Sequence, residues 1–193
     1  MAIWEFEALP QERIWGGRNL AERFGRNLPD GKQIGETWEL VDRVEAQSRE
    51  KASGKTLHDL WSGSDRKKVF GTKAPEAARF PILIKLLDAQ DKLSLQVHPP
   101  AERAKELAGE PKTEMWFFLA TQPEAEILAG LKAGVGKAEF EKALSAGTVA
   151  DCFHRLKTEP GAAMFLPSGR VHAIGAGNVI LEIQQNSDTT YRV

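Results

Sequence analysis

LSLQVHPP, residues Leu93–Pro100, alternates Leu93, Leu95 and Val97 with Ser94, Gln96 and His98 before two prolines stop the pattern. Alternation with period two predicts a strand with one apolar and one polar face. The polar face is unusual in composition. It carries a hydroxyl, an amide and an imidazole, all able to do chemistry, and none of the charges that normally solvate an exposed strand. The apolar side chains are expected to pack on a hydrophobic layer, which leaves the polar ones facing something that uses them.

Other short runs read the same way: ETWELV, FPILIKLL, EMWFFLA, EILAGL, AAMFLP and NVILEIQQ, each bounded by Gly, Pro, Asp or Asn. Helical signals are fewer. RNLAERFG (Arg18–Gly25) and TLHDLWSG (Thr56–Gly63) each give one or two turns closed by glycine, and Lys137–Leu156 is the best long candidate, interrupted by Gly147. GAGNV (Gly175–Val179) reads as a hairpin turn. Many closely spaced strands with peripheral helices predict a mainly β fold, a closed antiparallel sandwich or jelly roll. No repeat, low-complexity tract or linker divides the 193 residues, so a single domain is expected.

The 26 basic residues balance 27 acidic ones, for a net charge of −1. No basic excess is available to recruit phosphate backbones or anionic lipid, so neither nucleic acid nor membrane is expected as a partner. MAIWEFEALPQERIWGG has no basic stretch followed by an apolar run, and no segment approaches about 18 consecutive apolar residues. Cys152 is the only cysteine, read as a buried small hydrophobe; with no intrachain disulfide possible, a cytoplasmic location is expected.

There are four histidines. His58, in a short helical turn, reads as a surface residue, and His154, in the long helical stretch, as a surface or packing residue. His98 and His172 each end a strand-like run beside a Pro- or Gly-containing turn. Gln96 shares a face with His98, and sixteen residues on, Lys112, Glu114 and Trp116 share a face in KTEMWFF. Gln96, His98, Glu114 and His172 together offer two imidazoles, a carboxylate and an amide oxygen. That set suits Zn²⁺ or a similar divalent ion with positions left open, whereas a structural zinc site would use cysteines. A packed polar cluster inside a β-barrel is the competing reading. Lys85 is a charge inside an apolar run, and Lys112 and Arg192 add two more cations. Converging on a divalent ion, the three would favour an anionic, oxygen-rich ligand such as a phosphate.

These blocks resemble type I mannose-6-phosphate isomerases of the short bacterial form, a zinc-dependent family of the cupin superfamily. The resemblance runs through IWGGRNL, IGETWEL, PILIKLLDAQDKLSLQVHP, KTEMWFFL, AGLKAGV, FLPSGRVHAIGAG and EIQQNSDTTYRV. It implies a cupin jelly-roll β-barrel with a few short peripheral helices, and one zinc ion held by His98, Glu114 and His172 with Gln96 as a fourth ligand. It further implies Arg192 as the active-site arginine, and Ser94, Lys85 and Lys112 as residues lining a sugar-phosphate pocket. The implied reaction interconverts mannose 6-phosphate and fructose 6-phosphate by proton transfer through an enediol(ate), with Lys112 as the proton-transfer group. Members of that family continue past the TYRV block into a C-terminal β-region. The chain stops at Val193, so residues 1–193 are expected to form one cupin-type isomerase domain without that region. A non-catalytic metal-containing cupin that binds a sugar or sugar phosphate fits the same residues. An iron cupin oxygenase fits them less well, since its histidine-rich ligand set is lacking.

Overall fold

The computed structural model describes residues 3–193. Eleven strands form two antiparallel sheets among the described residues: β1 Leu9–Gly17, β2 Ile34–Leu40, β3 Ile82–Ala89, β4 Gln96–Val97, β5 Glu114–Thr121, β6 Glu126–Leu131, β7 Phe153–Lys157, β8 Ala163–Leu166, β9 His172–Ile174, β10 Asn178–Gln185 and β11 Tyr191–Arg192. One sheet runs β1-β2-β3-β10-β5-β8 and the other β11-β4-β9-β6-β7. Leu87, Trp116, Phe118, Leu166 and Ile180 from the first sheet meet Ile127, Ala129 and Ile174 from the second in one buried cluster. The interior is therefore a β-sandwich core, built by alternation along each strand.

Barrel closure, expected from the strand count, is not reached. The sheets face each other, but no strand pairing joins the edge strands β1 and β8 to the edges of the second sheet. The physical reason lies in the short strands. β4 and β11 are two residues each, and β9 is three, too few rungs to zip one sheet onto the next. LSLQVHPP itself is mostly irregular. Only Gln96 and Val97 pair as strand, with Leu93 N–H held separately by the carbonyl of Ile174. GAGNV is a turn, but it carries the chain from β9 in one sheet to β10 in the other instead of closing a hairpin. Gly175 is required there, because a Cβ would lie 2.5 Å from the carbonyl oxygen of Glu126.

The helices α1 (Asn19–Phe24), α2 (Leu57–Ser62), α3 (Arg66–Phe70) and α4 (Lys137–Ser145) lie outside the sandwich. Leu20 of α1 covers the outer face of the first sheet against Leu86 and Val179, and Gly25 ends the helix at φ +61°. Thr56 and Asp59 form the capping box that starts α2. The long helix expected over Lys137–Leu156 stops at Ser145. After Gly147, at φ +71°, come a 3-10 turn at Val149–Cys152 and then β7, so His154 is an exposed strand residue. Cys152 is buried, as expected. His58 is only half exposed, with Nδ1 3.1 Å from the buried carboxylate of Asp42. No helix among the described residues is long and apolar enough to cross a membrane.

Candidate active site

Register fixes which side chains meet. Across the first sheet, Trp38, Lys85, Glu182, Trp116 and Met164 stand directly opposite one another in one row. The next row is Leu83, Gln184, Glu114 and Leu166. From the second sheet comes the row Arg192, Gln96, His172 and Ala129. His98 lies one residue past β4 and Lys112 two residues before β5. The alternation seen in KTEMWFF holds: Glu114 and Trp116 are buried, while Met115 and Phe117 are exposed on the other face.

His98, Glu114 and His172 come together in the interior, each about 1% exposed, with donor atoms all within 4.8 Å of one another. Glu114 Oε1 is 2.6 Å from His98 Nε2, 3.4 Å from His172 Nε2 and 3.5 Å from Lys112 Nζ. Close as these contacts are, the oxygen has no partner with hydrogen-bond geometry. The ring tautomers explain why this matters. His98 Nδ1 lies 2.8 Å from the carbonyl oxygen of Thr189, and His172 Nδ1 lies 2.9 Å from that of Arg170. A carbonyl only accepts, so each Nδ1 carries a proton, and in the neutral ring Nε2 turns a lone pair toward the carboxylate. Three lone pairs thus converge on one buried space, the arrangement expected around a cation whose histidine ligands are oriented by backbone carbonyls. The donor set therefore fits a divalent metal of the zinc type. The amide of Gln96 lies 3.3 Å from His172 Nε2, and a turn about its last bond presents the oxygen to the same space.

A cavity of about 740 Å³ opens beside this cluster and includes Ser94, Gln96, Lys85, Lys112 and Arg192 in its wall. All eight residues singled out in the sequence thus lie in or against one site. Lys85 is not a strand-edge lysine: it sits in the centre of the first sheet, 3.5 Å from Asp188, 3.7 Å from Glu36 and 3.8 Å from Glu182, with Nζ 4.9 Å from the centroid of the Trp38 ring. Arg192 and Ser94 are exposed at the outer part of the cavity.

Electrostatics divide the acids. Burial opposes ionisation of Glu114, but Lys112 together with Glu182, His98 and His172 outweighs it and holds the carboxyl well below the usual range. Burial pushes Glu182 up to about 8; the adjacent Glu114 charge contributes, and Lys112 only partly offsets them. The single Trp116 Nε1–H bridges the two carboxylates at 3.0 Å each. Burial lowers His172 to about 4, so its ring is neutral near pH 7. For Lys85, burial is outweighed by Glu36, Glu182 and Asp188, which raise its pKa and keep it charged.

Glu36, Glu182 and Asp188 were not singled out in the sequence. A signal existed for Glu182, which shares parity with Ile180 and Gln184 in NVILEIQQ and so points inward. Glu36 likewise shares parity with the buried Trp38, whose Nε1–H it accepts at 2.7 Å. A further wall was also missed. Glu12 and Gly17 both pair with Ile34, so residues 13–16 of β1 bulge out and line the cavity with Arg13, Ile14 and Trp15. Gly16 permits this, since a Cβ there would lie 2.2 Å from the backbone nitrogen of Gly35.

Two facing antiparallel sheets holding a His–Glu–His cluster beside a polar cavity define a cupin-type pocket with a candidate metal-binding triad. Residues 3–129 match the family model for the phosphomannose isomerase type I catalytic domain, and the chain belongs to that family. Mannose-6-phosphate isomerase ManA of Bacillus subtilis (strain 168) is 41% identical over 193 residues, covering 97% of this chain and 59% of the relative. The crystal structure of the mannose 6-phosphate isomerase from Bacillus subtilis is similar at a TM-score of 0.89 and 36% identity, covering 100% of this chain and 61% of that one. A mannose 6-phosphate isomerase solved with zinc and yttrium shares the fold at a TM-score of 0.73 and 20% identity, covering 100% of this chain and 70% of that one. The chain thus spans 57–59% of the length of the curated relatives it matches.

Proposed function

We propose that this chain carries a zinc-dependent aldose–ketose isomerase site that interconverts mannose 6-phosphate and fructose 6-phosphate. The observation that carries the reading is the buried Glu114 Oε1, without a hydrogen-bond partner and facing two imidazole lone pairs. The relatives named above as mannose-6-phosphate isomerases support the substrate, and the one solved with zinc supports the metal.

In this reading His98, Glu114 and His172 hold the ion, with Gln96 as the fourth donor. When bound, zinc supplies Lewis-acid polarisation of the sugar oxygens. The reaction moves one proton between C2 and C1 of the open-chain sugar through an enediol(ate). Lys112 is the proton-transfer group, with Nζ in the cavity wall 3.5 Å from both His98 Nε2 and Glu114 Oε1. Arg192 retains its proton and so acts by stabilising charge and positioning substrate. Lys85, fixed by three carboxylates, and Ser94 hold the sugar or its phosphate.

A coupled assay with mannose 6-phosphate tests the proposal. Turnover that is abolished by a chelator and restored by zinc is the expected result. Substrate binding without turnover points instead to a sugar-binding cupin, and oxygen consumption to an oxygenase.

A further inference from the structure

Two segments converge on His98. One is the loop that His98 opens, running to Glu110. The other follows β10, from Asn186 to Thr189, and ends on the carbonyl that accepts from His98 Nδ1 at 2.8 Å. They are tied to each other: Glu110 N–H donates to Thr189 Oγ1 at 3.1 Å, and Ser187 Oγ–H donates to the Glu110 carbonyl at 3.2 Å.

Both are also tied to one outlying side chain. The Arg43 guanidinium donates through one nitrogen to Glu110 Oε2 at 2.8 Å and to the Asn186 carbonyl at 2.9 Å. Asn186 is gripped from its other side as well, its amide donating to the Asp42 carbonyl at 2.7 Å. Asp42 is itself immobilised. Its buried carboxylate accepts from Arg79 and from the backbone N–H of Phe80, each at 2.8 Å, and from Gln47 at 2.9 Å. The Asp42–Arg43 pair is therefore a rigid post, and Arg43 lies outside the cavity wall and outside the ligand cluster.

We infer that Arg43 is a positioning residue for the metal centre. By clamping Glu110 and Asn186 together, it holds the Thr189 carbonyl against His98 Nδ1 and so fixes the tautomer and aim of that ligand. The inference rests on the zinc reading above. Partners that orient a ligating histidine typically account for about 10- to 100-fold in metal affinity. A residue one step further out is expected at the low end, about tenfold.

The test is zinc affinity of the metal-free protein by competition with a chromophoric chelator, together with the absorption spectrum of the cobalt-substituted form. Arg43→Met is expected to bind zinc about tenfold more weakly, with an altered cobalt spectrum. Arg43→Lys keeps the charge but carries its donor on a differently shaped, non-planar head group that cannot place it where the guanidinium nitrogen sits, and is expected to fold and to recover affinity only in part. Should Arg43→Met fail to fold, Arg43→Lys decides: affinity within about twofold of the unsubstituted protein overturns the inference. A lower unfolding midpoint with unchanged zinc affinity and cobalt spectrum also overturns it, since that is a structural role alone. If the unsubstituted protein binds no zinc, the metal reading itself fails.

Discussion

On β3, β10 and β5, Leu87, Ile180 and Phe118 stand in one cross-strand row, and Lys85, Glu182 and Trp116 stand in the next. The two rows are two residues apart on the same face of the same strands, and both are buried. The first packs against Ile127 and Ile174 and gains stability from removing apolar surface from water. The second keeps a lysine and a carboxyl group out of water; ion pairs at 3.5 to 3.8 Å keep Lys85 charged, but the desolvation of Glu182 is offset incompletely. Backbone geometry does not distinguish the rows. Side-chain chemistry alone turns one half of the interior into a core and the other into a site, and the second half is held in place by the first.

That division is open to direct attack. The largest effect is expected from Glu114→Ala. Losing the shared carboxylate removes stoichiometric zinc and lowers turnover by about a thousandfold or more, equivalent to about 4 kcal/mol of transition-state stabilisation. The unfolding midpoint of the metal-free protein should change little, because Oε1 makes no hydrogen bond there and the Trp116 Nε1–H that loses Oε2 keeps Glu182 as its acceptor. A loss of stability comparable to that of a core truncation breaks the comparison. Ile180→Ala is that truncation, two residues from Glu182, and is expected to cost about 3–4 kcal/mol by denaturant unfolding. Zinc affinity of the folded protein should be retained. If zinc is lost with it, the two halves are not separable.

How far the sequence foretold this division depends on how each residue announces itself. Runs such as FPILIKLL and EMWFFLA sit in central strands, where parity and apolar content show the buried face directly. β7 has only Phe153 buried and four exposed residues after it, so no alternation separates it from a helix, and Gly147 was the sole sign that the helix ended. The bulge in β1 is set by the approach of Gly16 to Gly35 across strands, which local pattern cannot express. At the site, histidine, glutamine and a lysine in an apolar run are conspicuous where they fall. Glu182 and Asp188 are not, since an isolated carboxylate reads as a solvated surface group until register sets it against Lys85. In LSLQVHPP the alternation marks side chains that meet at the cluster and cavity but overstates the strand, which pairs only at Gln96 and Val97. Its polar groups are aimed mainly by pairing at Gln96 and by the Thr189 carbonyl on His98, more than by extended β-structure.

A smaller effect sharpens the contrast further, because only the charged row responds to pH. In the metal-free protein Glu182 titrates at about 8 when folded, against an ordinary value of 4.5. The folded state therefore binds more protons than the unfolded state across that interval, and the resulting stability is lost as pH rises toward 8. His172 has the opposite sign: at about 4 against 6.5, its contribution is present above 6.5 and lost as pH falls toward 4. Between 4.5 and 6.5 the two slopes oppose each other. Between 6.5 and 8 the Glu182 slope stands without the His172 one, over an interval equivalent to about 2 kcal/mol. Metal-free protein is thus expected to lose about 2 kcal/mol of unfolding free energy from pH 6.5 to 8, and Glu182→Gln to flatten the profile. Ile180→Ala should shift the whole curve down without changing its slope. A slope that survives in Glu182→Gln assigns the titration to another group and removes the proton from the centre of the charged row.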